Sequence, residues 1–198
     1  MKVEGVIVDY EIKEIDYEAF IPIYNNFMIN DFPDDELRSL HSIKRMFRDG
    51  RYSVLVMVEK DVLLAYANFI TDEEGRVALL DYYAVTEARR GQGIGTLFLQ
   101  KIRETLDVDG LLIESERPDK AETEEDRIVR TKRIGFYEQN DSIVTDYTWE
   151  AYGVIYNLLY LPIGKDVEHV DVGFKIKEMY GFTLPKMLLD KYTKLYID

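Results

Sequence analysis

Residues 90 to 96, Arg-Gly-Gln-Gly-Ile-Gly-Thr, place three glycines on alternate positions where the pattern of the chain changes, and they constrain its fold more than any other stretch. Before them, residues 76 to 85 (RVALLDYYAV) read as a strand; after them Leu97, Phe98, Ile102 and Leu106 recur at helical spacing. A strand that enters a helix through a glycine-lined turn presents main-chain amides with no partner inside the helix and with partial positive charge. Such a turn suits phosphate oxygens. Arg89 and Arg90 flank it in a chain that is otherwise acidic, with 38 Asp and Glu against 25 Lys and Arg. A glycine turn that only reverses the chain has no use for that charge.

Around this turn the sequence reads as one domain of alternating elements. Residues 3 to 13 alternate as a half-exposed strand, and Asp16 caps a helix running to about Ile29. Asn30-Asp31-Phe32-Pro33 breaks the pattern, after which Asp34, Asp35 and Glu36 put negative charge in the first turn of a second helix ending near Asp49-Gly50. Strands follow at about 52 to 59, 62 to 71 and 76 to 85, and their short turns make an antiparallel meander. Residues 110 to 116, GLLIESE, read as a buried strand reached by a parallel, right-handed crossover. A helix starting near Thr123 comes next, then two strands over about 143 to 163 that meet at Tyr152-Gly153. Beyond Gly164 the outline is helical, in two pieces split by Gly181 and Pro185. The expected architecture is an α/β sandwich: a mixed, mostly antiparallel central sheet of about seven strands, a splayed central pair, and helices on both faces. Residues 1–164 form the main domain and 165–198 a helical extension docked on it or on a partner subunit.

Composition removes several classes of function. The chain has no cysteine, so thiol nucleophiles, thiolate zinc sites and iron–sulfur clusters are out, and only His41 and His169 remain as nitrogen ligands. No metal site is expected, and both histidines read as ordinary surface or packed residues. The net charge of −13 repels nucleic-acid phosphates. Glu4, Asp9, Glu11 and Glu14 interrupt the apolar residues of the amino terminus, and no stretch approaches the ~18 uninterrupted apolar residues of a spanning helix. The expectation is a cytoplasmic protein without a membrane partner.

The glycine turn itself discriminates among phosphate-binding types. A nucleoside triphosphatase loop needs Lys then Ser or Thr after its last glycine, whereas Gly95 is followed by Thr96-Leu97. A dinucleotide loop needs G-x-G-x-x-G, whereas Gly91, Gly93 and Gly95 alternate, and no acidic residue ends the next strand to hold a ribose. What remains resembles the acyl-CoA loop of the GNAT superfamily of N-acyltransferases, written Arg/Gln-x-x-Gly-x-Gly/Ala, which Arg90, Gly93 and Gly95 match. Tyr82-Tyr83-Ala84-Val85 before the loop and Phe136-Tyr137 forty residues after it stand where that family places such pairs. By order of elements the resemblance covers roughly residues 1 to 160.

The resemblance implies acetyl-CoA as co-substrate. Its pantetheine arm would insert between strands 76–85 and 110–116 and pair with main-chain groups near Ala84 and Val85. The Val85 amide would donate to the thioester carbonyl, a preorganised donor that strengthens as that oxygen gains negative charge. Arg90, Gly91, Gln92, Gly93, Ile94, Gly95 and Thr96 would hold the pyrophosphate. Tyr137, by position, is the candidate acid for the departing thiolate. For a base the sequence offers Glu114 and Glu116, which alternate onto one strand face and either bind the substrate ammonium or form salt bridges with neighbouring cations. Asp81, two residues before Tyr83 on the same face, is a weaker candidate. Many family members carry Asn seven residues and Ala four residues before the tyrosine; here Arg130 and Arg133 stand there. Those arginines and Lys132 either meet CoA phosphates or balance Glu124, Glu125 and Asp126 one turn away.

The reading is an N-acetyltransferase that moves acetyl from acetyl-CoA to a primary amine of a small molecule or peptide by direct attack in a ternary complex. The competing reading is a non-catalytic acyl-CoA-binding or sensing module that uses its carboxy-terminal segment to engage a partner. Phe174, Met179, Phe182, Leu184, Leu188, Leu189 and Tyr192 give that segment apolar surface, which is compatible with a homodimer.

Overall fold

The structure, a computed structural model, describes residues 10–34, 36–164 and 170–197. Most of the strand read at 3 to 13 lies outside the described residues, which begin with β1 (Tyr10–Ile15). Asp16 then caps α1 (Tyr17–Ile23), its carboxylate accepting from the Ala19 amide at 2.9 Å. That bond supplies a partner to one of the donors a helix start leaves open. Pro22 sits inside α1, and past it the helix widens into a π stretch, Tyr24–Met28, before the short α2 (Ile29–Asp31).

The second helix starts later than its acidic residues suggest. α3 (Leu40–Arg48) begins at Ser39, whose Oγ accepts from the Ser42 amide at 3.3 Å. The residues before it are held by tertiary bonds. Tyr82 Oη accepts from the Arg38 amide and donates to the Glu36 carbonyl, both at 2.8 Å, and Tyr24 Oη donates to the Arg38 carbonyl at 3.0 Å. Main-chain groups engaged in this way are not available to a helical ladder. Asp35 lies outside the described residues.

β2 (Tyr52–Glu59), β3 (Val62–Thr71) and β4 (Val77–Val85) form the expected meander, with Lys60 and Asp61 both at positive φ in the tight turn. The glycine turn leads into α4 (Ile94–Thr105), and β5 (Gly110–Glu116) returns parallel to β4. α5 (Glu124–Glu138) starts at its Thr123 cap; β6 (Ile143–Ala151) and β7 (Val154–Pro162) close a hairpin at Tyr152-Gly153.

The segment past Gly164 is not wholly helical. α6 (Val172–Thr183) and α7 (Lys186–Tyr192) are divided at Pro185 alone, with Gly181 inside α6, and β8 (Thr193–Ile197) then pairs antiparallel with β6. Among the described residues one sheet results, in the order β1-β2-β3-β4-β5-β7-β6-β8, with eight strands where about seven are expected.

Two buried layers flank the sheet. α1, α3 and α6 cover one face, burying Phe20, Ile43, Tyr66, Leu79, Leu112 and Trp149; α4 and α5 cover the other over Ala67, Leu80, Phe98, Ile113 and Tyr137. Strand alternation assigns successive residues to opposite layers. β4 breaks that rule once: Asn68 pairs with Tyr82 but Phe69 with Leu80, leaving Asp81 as the extra residue of a bulge. A regular strand puts Asp81 on the face of Tyr83, as its spacing suggests. The bulge turns it instead to the face of Tyr82, where it meets Arg38 and Tyr52, while the Tyr83 ring stacks on Phe98 in the other layer. Among the described residues no helix is long and apolar enough to cross a membrane.

Candidate active site

β4 and β5 pair only from Val77 opposite Gly110 to Leu80 opposite Ile113. Beyond that, β4 stays with β3 as far as Val85, and β5 stays with β7 as far as Glu116. The two central strands therefore part, and their facing main-chain groups border an open gap. The Thr86 amide donates to the Leu64 carbonyl of β3 at 2.9 Å. By antiparallel alternation Ala84 also turns its main chain towards β3, whereas Val85 and Tyr83 turn theirs into the gap. Of the Ala84 and Val85 pair read from the sequence, Val85 is the one whose amide faces the opening.

The glycine turn closes the same end of the gap. Gly91 and Gly93 have φ of +74° and +78°, a conformation open at low cost only to glycine. Gly93 caps α4, and its carbonyl accepts the first helical bond from the Leu97 amide at 3.1 Å. Among the described residues, none accepts from the main-chain amides of residues 91 to 96. A run of open donors at the head of a 12-residue helix fits a diphosphate. The side chains brace this turn rather than point away from it. Arg90 reaches Asp31 at 2.7 Å and the Val85 carbonyl at 3.1 Å, Arg89 pairs with Glu59 at 2.9 Å, and Gln92 donates to the Ala88 carbonyl at 2.9 Å.

Two titratable groups lie on opposite layers of the sheet, Glu114 just past the last β4–β5 pair and Tyr137 near Tyr83 of β4. Tyr137, the buried residue of α5, packs edge-on against Phe136 with centroids 5.2 Å apart, and no described residue hydrogen-bonds its hydroxyl. Burial pushes that phenol up to about 12, with Arg133 opposing. Glu114, the first residue of β5 past the last β4 pair, lies on the α6 side and accepts from Tyr180 Oη at 2.7 Å. Burial raises its carboxyl to about 7 against the pull of Tyr180 and Arg38, with Asp81 adding to the rise.

The other candidates are engaged. Glu116 pairs with Arg130 at 2.7 Å and Arg133 at 3.4 Å. Those arginines thus bridge α5 to β5 instead of balancing Glu124, Glu125 and Asp126 on their own helix; Arg127 is the residue that pairs with Glu124, at 2.5 Å. A groove of about 450 Å³ runs past Glu116, Arg130 and Arg133 to Val154 on the hairpin. Asp81 is held by Arg38 at 2.8 Å and accepts from Tyr52 Oη at 3.0 Å. His41 is exposed on α3, and His169 lies outside the described residues. Among the described residues no group of three or more His, Asp or Glu is placed to hold a metal ion. Arg38 and Tyr180 escape the sequence reading. Neither carries a motif, and only the fold brings residues 38, 81, 114 and 180 together.

Parted central strands beside a glycine-lined helix N-terminus define the acyltransferase class that the loop resembles. Residues 14–120, more than half of the chain, match the model of the Acetyltransferase (GNAT) family, and the chain belongs to that acetyl-CoA-dependent N-acetyltransferase family. Solved structures share the fold at low identity. A protein from Bacteroides thetaiotaomicron described as a GNAT-family acetyltransferase is 20% identical, with a TM-score of 0.66 over 84% of this chain and 94% of its own. The ribosomal-protein-S18-alanine N-acetyltransferase of Escherichia coli is 18% identical, with a TM-score of 0.56 over 81% of this chain and 98% of its own. The spermidine N-acetyltransferase of Vibrio cholerae, solved with CoA and spermine, is 11% identical, with a TM-score of 0.57 over 78% of this chain and 95% of its own. No curated protein matches the chain.

Proposed function

We propose that the protein acetylates a primary amine of a small molecule or peptide by direct attack within a ternary complex, with Glu114 as general base and Tyr137 as general acid. The observation that carries this reading is their placement: a carboxylate on β5 just past its last pair with β4, and a phenol in the opposite layer close to Tyr83 of β4. Acetyl-CoA, when bound, supplies an acetyl group activated as a thioester. The open amides of residues 91 to 96 bind its diphosphate, and the Val85 amide orients the carbonyl as a fixed donor that needs no reorganisation. A carboxyl near 7 is partly ionised at neutral pH and can take a proton from an ammonium group, whereas a phenol near 12 keeps its proton for the sulfur. The attacking amine enters from the Glu114 side and the thioester from the Tyr137 side, so no covalent enzyme intermediate is required. Glu114 beside Tyr156 suits a cationic acceptor. Two of the neighbours named above are an alanine and a spermidine N-acetyltransferase, which supports the same class.

Thiol release from acetyl-CoA with a panel of amines tests this reading. Turnover on at least one amine should fall by about 10²-fold or more in Glu114→Gln and in Tyr137→Phe while CoA affinity persists. Undiminished rates in both variants, or tight CoA binding without turnover on any amine, would sink it, the second in favour of the non-catalytic module.

A further inference from the structure

The residues matched by the family model end at 120, yet the group that touches the proposed base comes from α6, far beyond them. We propose that Tyr180 is a positioning residue of the acetyl transfer, its hydroxyl fixing one oxygen of Glu114 and leaving the other to the acceptor amine. The inference rests on the reading of Glu114 as the base.

Three features carry it. First, Tyr180 Oη donates to Glu114 Oε1 at 2.7 Å, and no described residue makes a hydrogen bond of normal geometry to Oε2. Second, the Tyr180 ring is immobilised. It is buried, meets Trp149 edge-on at 5.1 Å, and lies under the Arg38 guanidinium at 5.6 Å. Third, α6 is tied down at separate points along its length. Lys175 pairs with the buried Asp72 at 2.5 Å, Glu178 accepts from the Glu73 amide at 2.8 Å, and Arg45 donates to the Phe182 carbonyl at 2.9 Å. A phenylalanine would fill the same packing site. The hydroxyl is the part of the side chain whose partner is the carboxylate.

The groups around Glu114 come from every neighbouring element. Tyr180 reaches it from α6, Asp81 from β4 and Tyr156 from β7, while Arg38 approaches from the segment before α3. From β6 the Trp149 indole N–H faces the carboxylate without reaching hydrogen-bond geometry. Arg38 and the two N–H and O–H donors favour the charged carboxylate, and Asp81 opposes it. Removing the Tyr180 hydroxyl therefore withdraws support from the ionised form and frees the carboxylate to rotate.

The test needs no knowledge of the acceptor. The carboxyl carbon of Glu114, labelled with ¹³C and followed by NMR, should titrate near neutrality in the wild-type chain. In Tyr180→Phe its midpoint should rise by about one pH unit or more, the scale of a hydrogen bond to a charged group. In the wild type the Tyr180 Cζ resonance should report the same midpoint, a measurement that does not depend on the variant folding well. With any amine the enzyme turns over, Tyr180→Phe should lower kcat at pH 7 by about tenfold, leave KM for acetyl-CoA in place, and recover at higher pH. An unmoved Glu114 midpoint, or a Tyr180 resonance blind to it, overturns the positioning role whatever Glu114 does. Full turnover in Glu114→Gln overturns instead the base on which the proposal stands.

Discussion

Arg38 Nε lies 2.8 Å from one carboxylate oxygen of Asp81 and 3.1 Å from the other, and the two side chains are only 15% and 3% exposed. The contact ties the segment before α3 to the bulge in β4. Burial alone would drive Arg38 towards neutrality, but Asp81 with Tyr180 and Tyr82 more than offsets it. Removing one partner of such a pair strands the other in a site with little water. Asp81→Ala is expected to cost about 3–5 kcal/mol in urea unfolding, the range found when a buried pair is broken on one side. Asp81→Asn, which keeps an oxygen for Tyr52 and Arg38, should cost distinctly less. Equal losses in the two variants would mean that shape, not charge, holds the contact.

Gly93 and Gly95 should respond differently to the same added methyl. Gly93 adopts a φ of +78°, so Gly93→Ala should lose about 1–2 kcal/mol, the cost of the left-handed region for an L-residue. Because the open amides follow from that turn, CoA binding measured by calorimetry should weaken with it. Gly95 is helical, and an added Cβ would meet Phe136 at 3.5 Å and Val85 at 3.6 Å, ordinary contact distances. Gly95→Ala should therefore fold at least as stably as the wild type, gaining up to about 1 kcal/mol of helix propensity. A Gly93→Ala chain as stable as Gly95→Ala would refute the argument.

The contrast between those glycines shows what was legible in the sequence. Local chemistry announces itself: the strands 52–59, 62–71 and 110–116 and the caps at Asp16 and Thr123 fall where alternation and capping residues place them. Features decided by distant partners do not. Asp34 and Glu36 look like a helix start, but Tyr82 takes the backbone of that segment for itself. The bulge at Asp81 leaves the alternation of β4 intact on paper while reversing where that carboxylate points. Thr193-Lys194-Leu195-Tyr196-Ile197 is too short to read as a strand until β6 is there to pair with it. Tyr180 is one tyrosine of 15, on a helix whose apolar residues signal only burial, and its task is set by Glu114, 66 positions earlier.

Glu114 should make stability fall as pH rises. Its folded value of about 7 lies above the ordinary 4.5 because it is buried, so between those values the unfolded chain releases the proton first. The folded state then holds more protons than the unfolded one, and each rise in pH favours unfolding across that window. The contribution present below pH 4.5 should decline by roughly 3 kcal/mol by pH 7 to 8. Asp72, lowered by Lys175 and the Arg76 and Val77 amides despite its burial, acts with the opposite sign and only as pH falls below 3.8. Urea midpoints at pH 5 and pH 8 should therefore converge in Glu114→Gln relative to the wild type. Acetyl transfer should move the other way, rising through pH 7 as the base ionises.

Glu116 shares a strand face with Glu114 but not its surroundings. Arg130 and Arg133 pair with it at the rim, and its side chain is 21% exposed. Glu116→Gln should cost about 1 kcal/mol, near the upper end for a partly exposed pair. Its turnover should remain close to wild type where that of Glu114→Gln collapses. A loss of rate in Glu116→Gln as deep as in Glu114→Gln would reassign the base.

Two truncations should separate the family span from the folding unit. Val172, Ile176, Met179 and Tyr180 of α6 are at most 6% exposed, and they cover Trp149 and the Glu114 side of the sheet. Losing the burial of four such side chains forfeits roughly 6–12 kcal/mol at about 1.5–3 kcal/mol each. That is as large as the whole net stability of a typical domain, about 5–15 kcal/mol. A chain ended after Gly164 should therefore lack a cooperative thermal transition, although it contains every residue the family model matches. Ending the chain after Tyr192 removes only β8, keeps α6 in place and bares the edge of β6. That shorter cut should fold but self-associate through the open strand, visible as concentration-dependent species in size-exclusion chromatography. A cooperative, monomeric 1–164 chain would show instead that α6 is an accessory to the domain and not part of its core.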